Sequence, residues 1–109
     1  MRGLRKLVKN MRFKVEFTEK ALDMLKLHVQ YIALFNRDKA KSFKEDIFRA
    51  SKTLELFPER YPILIIDDLP NVYRKMVIDK KHILIYQIIE NKVCINYFLD
   101  CKQDYKWLL

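Results

Sequence analysis

The residues best equipped for chemistry form a basic and aromatic set in the last third of the chain: Tyr73, Arg74, Lys75, Lys80, Lys81, His82, Lys102, Gln103, Tyr105 and Lys106. Cations on adjacent antiparallel strands share one surface and can grip phosphate. Tyrosines stack on bases, and an imidazole moves a proton during RNA cleavage. An acidic protein segment would be held by the same side chains equally well. The plain alternative is that the lysines are solvated hairpin residues and Tyr105 packs the tail. Residue types alone leave these readings open.

Absences narrow the field. The only glycine is Gly3, so no Gly-rich loop exists to cradle phosphate, and a dinucleotide fold, a P-loop and a nucleophile elbow are excluded. His28, His82, Cys94 and Cys101 are the histidines and cysteines of the chain, and no pair has the local spacing of a zinc site. No metal and no cofactor is therefore expected. His28 falls on an apolar helix face, where a core histidine with a satisfied partner is expected. Ser42 and Ser51 lie within a helical pattern rather than on a nucleophile turn.

Lys and Arg number 22 against 14 Asp and Glu, a net charge of +8 that favours a polyanionic partner. Part of this excess is local. Arg2, Arg5, Lys6 and Lys9 lie in the first ten residues without an acid, and removing them from +8 leaves +4 elsewhere. Residues 1–10 are expected to be a basic leader (a short amphipathic helix, disordered, or upstream of the true start at Met11), with one domain over 11–109. The leader lacks the apolar stretch of a signal peptide. No run of about 18 apolar residues offers a membrane span. Cys94 and Cys101 would lie about 20 Å apart on an extended strand, beyond the roughly 6 Å a disulfide spans. Reduced thiols fit a cytoplasmic protein.

The elements that must position the basic set are legible in the hydrophobic pattern. Arg12 to Phe17 alternates as a half-buried strand, with Phe13, Val15 and Phe17 inward. Thr18 is placed to cap a helix whose apolar face combines Ala21, Met24, His28, Tyr31 and Phe35 with Leu22, Leu25, Val29 and Ile32. Asp38 is placed to cap a second helix with the stripe Ala40, Phe43, Ile47, Ala50, Leu54 and Phe57, ended by Pro58. The two helices should form an antiparallel hairpin. Tyr61 to Ile66 reads as a short strand or extended connection, and Asp67 to Asn71 as a loop. Strands are expected over Val72 to Ile78, Ile83 to Ile89 and Val93 to Leu99. The nearly all-apolar Ile83 to Ile89 should be central and covered on both faces. The expected fold is α+β: an N-terminal strand, a helical hairpin, an antiparallel β-meander in a twisted sheet, and a short C-terminal helical tail.

Four segments in this order resemble the RelE/ParE superfamily of bacterial toxins. They are RFKVEFTEKALDMLKLHVQYIA from Arg12, FPERYP from Phe57 to Pro62, YRKMVIDKKHILIYQI from Tyr73 to Ile88, and DCKQDYKWLL from Asp100 to Leu109. The resemblance covers Arg12 to Leu109 and implies a toxin of a type II toxin–antitoxin (plasmid stabilisation) system. RelE-like members are ribosome-dependent mRNA endoribonucleases, or mRNA interferases. ParE-like members inhibit DNA gyrase without cutting RNA. The nucleases commonly carry an arginine where this chain has Ile83, and an arginine is usual where it has Lys102. An apolar Ile83 cannot stabilise a pentacoordinate phosphate, and Lys102 lacks the bidentate fork of arginine.

The resemblance therefore favours the ParE-like, non-enzymatic branch. Its implied target-binding residues are Tyr73, Arg74, Lys75, Lys80, Lys81, Lys102, Gln103 and Tyr105. In the nuclease alternative Arg74, His82, Lys102 and Tyr105 would be catalytic and the ribosome with mRNA the target. A basic interaction module without toxicity is the alternative of another class. The resemblance also implies a cognate antitoxin in a hetero-oligomer, with acidic residues over Arg74, Lys75 and Lys102. Leu27 and Leu34 lie on the otherwise polar side of the first helix. Either they pack the helical hairpin or they extend a groove for an antitoxin helix.

Overall fold

The computed structural model describes residues 12–65 and 71–101. Its elements are β1 (Lys14–Phe17), α1 (Glu19–Ala33), α2 (Arg37–Lys52), two short 3-10 turns (Thr53–Glu55 and Pro58–Arg60), β2 (Ile63–Leu64), β3 (Tyr73–Ile78), β4 (His82–Ile89) and β5 (Lys92–Asp100). The strands make one sheet in the order β1-β5-β4-β3-β2. Every pairing is antiparallel except β1 with β5, which run parallel with Lys14 opposite Lys92 and Phe17 opposite Ile95. The α+β architecture expected from the hydrophobic pattern is the one observed. Lys102 to Leu109, including the expected helical tail, lie outside the described residues, as does the leader.

Thr18 joins strand to helix. Its Oγ1 accepts from the Ala21 N–H at 3.1 Å and donates to the Asn96 carbonyl at 3.3 Å, while its own N–H donates to the Ile95 carbonyl at 2.9 Å. One residue thus caps α1 and ties its start to β5. α2 is capped by Asn36, whose Oδ1 accepts from the Lys39 N–H at 3.0 Å. Asp38, the expected cap, lies in the first turn instead, where its charge favours the helix N-terminus. α2 stops at Lys52, short of Pro58, because the chain tightens into the first 3-10 turn, and the Thr53 hydroxyl donates to the Ala50 carbonyl at 2.6 Å. Phe57 then takes a left-handed conformation, φ 52° and ψ 55°. The expected stripe therefore ends at the buried Leu54, and Phe57 stands 64% exposed.

β4 lies at the centre of the sheet, and Ile83, Leu84, Ile85 and Tyr86 are buried in succession. Four consecutive buried side chains require cover on both faces. On one face Leu84 and Tyr86 pack with Met76, Val93, Ile95 and Phe98 against Ala21, Leu25, Ile47 and Leu54 of the helical side. On the other, Ile83 and Ile85 gather with Leu64, Tyr73 and Leu99. β5 carries an extra residue: Tyr86 pairs with Ile95 but Ile85 with Tyr97, which leaves Asn96 in a bulge. The β3–β4 turn is closed by the Lys81 N–H on the Ile78 carbonyl at 3.0 Å, with Asp79 and Lys80 both at positive φ. Those signs match the twist of a two-residue hairpin turn.

Candidate functional site

Among the described residues the expected basic set spreads along the β3–β4 hairpin, and one member is buried. Tyr73 is buried in the second core cluster, so it is not a surface side chain. Lys75 is half-buried, while Lys80 and Lys81 are exposed at the tip of the β3–β4 turn. Arg74 pairs across the ladder with Tyr86, and His82 pairs with Ile78. Arg74 and His82 are thus separated by four positions along the ladder, about 13 Å. Lys102, Gln103 and Tyr105 lie outside the described residues.

Arg74 is already occupied. Its Nη1 donates to the Tyr61 carbonyl at 2.7 Å and to the Glu59 carbonyl at 2.9 Å. Arg60 performs a similar task nearby, donating to the carbonyls of Thr53, Leu56 and Phe57. Its guanidinium lies 4.9 Å from the centre of the Tyr61 ring. The buried Tyr86 hydroxyl donates to the Pro58 carbonyl at 2.6 Å. Burial first of all pushes the Tyr86 phenol up to about 12, with Tyr61 and Glu59 adding and Arg74 and Arg60 opposing. Irregular backbone between α2 and β2 exposes carbonyls that no ladder satisfies, and these three side chains satisfy them. The segment FPERYP is therefore a joint held by one donor of its own, Arg60, and by two from the sheet, Arg74 and Tyr86.

A second feature lies on the helical hairpin. A groove of about 470 Å³ runs between α1 and α2, lined by Leu22, Lys26, Val29, Gln30, Lys44 and Phe48 among others. Leu22 and Tyr31 were expected inside; they are 42% and 61% exposed, and Phe35 beyond the helix is 77% exposed. Leu27 and Leu34 are 68% and 79% exposed, so they do not pack the hairpin. At 3.6 residues per turn, Leu27, Tyr31 and Leu34 share the side of α1 turned away from buried Ala21 and Leu25. The hairpin thus offers an apolar-floored groove on one flank and an apolar stripe on its outer side.

The third feature had no local signal in the sequence. His28 on α1 and His82 at the start of β4 place their Nε2 atoms 3.3 Å apart. Phe43 and Phe98 pack against both rings. Desolvation, and then His28, hold His82 below the usual imidazole value of 6.5; Asp100 pulls it back up, Lys81 lowers it further and Asp79 raises it. A pocket of about 330 Å³ beside the pair is lined by His28, Lys80, Lys81, His82, Asp100 and Cys101. Cys94 and Cys101 are both free. Among the described residues no three His, Cys, Asp or Glu side chains form a ready metal cage, and no helix is long and apolar enough to cross a membrane.

A helical hairpin on one face of a five-stranded, mostly antiparallel sheet defines a small toxin fold of the RelE/ParE superfamily. The solved structure of a chain described as the chromosomal ParDE TA system from P. aeruginosa superposes with a TM-score of 0.67 at 16% identity, covering 83% of this chain and 97% of that one. The family model for the ParE toxin of the type II toxin–antitoxin system, parDE, matches residues 15–105. The chain belongs to that ParE toxin family. No curated protein gives a significant match to the sequence.

Proposed function

We propose that this ParE-family toxin inhibits DNA gyrase in the bacterial cytoplasm and is silenced by a cognate antitoxin seated on the helical hairpin. The observation that carries the gyrase reading is the state of Arg74. A nuclease needs fixed cations and a proton-transfer group converging on one phosphate. Arg74 instead commits its Nη1 to the carbonyls of Glu59 and Tyr61, about 13 Å along the ladder from His82. Ile83, where the nucleases commonly carry arginine, is buried in the second core cluster. Lys75, Lys80 and Lys81 remain as half-exposed or exposed cations suited to an acidic protein surface.

The antitoxin reading rests on the hairpin. Leu27, Tyr31, Leu34 and Phe35 are among the large exposed apolar side chains, and they crowd within nine residues. Such a stripe beside an apolar groove suits an amphipathic helix that buries both.

The deciding experiment induces the protein without antitoxin in a bacterial host, then pulse-labels with thymidine and with methionine. An early fall in thymidine incorporation, with translation continuing, is the expected result. An early fall in methionine incorporation would establish the nuclease reading instead. Unimpaired growth would leave a binding module.

A further inference from the structure

His28 and His82 are 54 positions apart in sequence, yet the fold brings their imidazoles together and holds both in place. His82 stacks on Phe98 with an interplanar angle of 16° and meets Phe43 edge-on at 4.8 Å between centroids. His28 lies 5.2 Å from Phe43 and 5.5 Å from Phe98. The two imidazoles are set at 73° to one another. Neither nitrogen therefore needs a large side-chain rearrangement to stay where it is, and the pair is anchored on α1, α2, β4 and β5.

At 3.3 Å the two nitrogens can share one hydrogen bond when one ring is the donor tautomer and the other the acceptor. The same distance matches another arrangement. Two nitrogens each about 2.0–2.1 Å from one tetrahedral ion lie roughly 3.3–3.4 Å apart. We propose that His28 and His82 chelate one divalent late first-row transition metal, zinc foremost, through their Nε2 atoms. Neutral imidazole nitrogens select such ions over magnesium and calcium, which prefer oxygen ligands.

The remaining coordination positions face the pocket and are filled by water, with the Asp100 carboxylate and the Cys101 thiol on the same wall. Asp79 and Asp100 offset the cations of Lys80 and Lys81 around it. With two protein ligands the site binds more weakly than a four-ligand structural zinc centre. Its effect is mechanical. The ion staples α1 to the β3–β4 hairpin, and binding to the folded state alone raises thermal stability with metal concentration. The site stands apart from the toxin reading, which used His82 only as a measure of its distance from Arg74.

The test titrates zinc chloride into the untagged full chain, reduced with a phosphine that does not compete for metal, near neutral pH. Long-range proton–nitrogen spectra follow both imidazoles. The expected result is one zinc per chain, a coordination shift at both Nε2 atoms, a rising Tm, and no response to magnesium. His28→Gln and His82→Gln should each weaken binding at least tenfold, whereas Cys94→Ser leaves it unchanged. The proposal is overturned if millimolar zinc shifts neither Nε2. It is equally overturned if zinc binding survives both histidine substitutions. Should either variant unfold, the imidazole shifts of the unaltered protein decide the matter alone.

Discussion

The joint from Thr53 to Tyr61 and the outer side of α1 make opposite use of their side chains. At the joint, Arg60, Arg74 and Tyr86 all turn toward main-chain carbonyls, and groups that look reactive serve the scaffold. On α1, Leu27, Tyr31 and Leu34 look like material for a core and stay in solvent. A polar side chain is consumed wherever irregular backbone needs donors, whereas a contiguous exposed apolar stripe marks a surface open to a partner. The contrast shifts attention from the cations, where chemistry was first sought, to the helix.

Breaking the helical side should have the largest effect. The double substitution Leu27→Asp and Leu34→Asp should weaken the antitoxin complex a hundredfold or more, because charge would replace apolar area at the centre of the proposed contact. Stability of the toxin alone should move by only about 0.5 kcal/mol, as expected for exposed positions. Affinity by calorimetry, with urea melts of the free chain, checks both halves. Undiminished affinity would sink the docking surface.

At the joint, Tyr86 gives the next effect. Its phenol is raised from 10.0 to about 12 in the folded protein, so the unfolded chain ionises first. The stabilisation this provides is complete below pH 10 and drains away as pH climbs toward about 12, a loss on the order of 2 kcal/mol. Tyr86→Phe should remove that alkaline decline and cost about 1 kcal/mol at neutral pH through the unanswered Pro58 carbonyl. Denaturant midpoints from pH 8 to 11 read both effects; parallel curves for the two proteins would show that Tyr86 is not the group responsible.

The smallest effect sharpens the contrast. Arg74→Ala should destabilise by about 1 kcal/mol, since its two bonds are charge-assisted but partly open to water. Arg74→Lys should recover only part of this, because the lysine ammonium ends on a shorter stem than the Nη1 that makes both bonds. If Arg74 held a phosphate rather than the joint, growth inhibition would disappear while the urea midpoint stayed fixed.

Much of the fold was legible because alternation and helical spacing are local signals. Val15 and Phe17, the stripe from Ala40 to Leu54, and the apolar run of β4 all packed in the direction their periods implied. What escaped depended on distant partners. Nothing near Lys14 announces Lys92 as its neighbour, and nothing near His28 announces His82. Tyr73 misled because a tyrosine between basic residues looks like surface, yet strand parity turns it inward beside Leu64 and Ile85. Asn36 took the cap from Asp38 because the chain entered the helix two residues earlier than the charge pattern suggested. Of the candidate site, the residue types were visible but their convergence was not.

The parallel ladder between β1 and β5 also bears on how the chain acquires its shape. Lys14 to Phe17 pair with Lys92 to Ile95, and the Lys14 N–H reaches the Asn91 carbonyl, so this strand cannot be seated before β5 is present. Contacts of such long sequence separation slow folding, because loop entropy is spent before they form. On a translating ribosome, β1 must wait until β5 has emerged. A fragment that ends before Lys92 has nowhere to dock its first strand. Synthesis interrupted before Lys92 therefore leaves β1 without its ladder and the sheet one strand short.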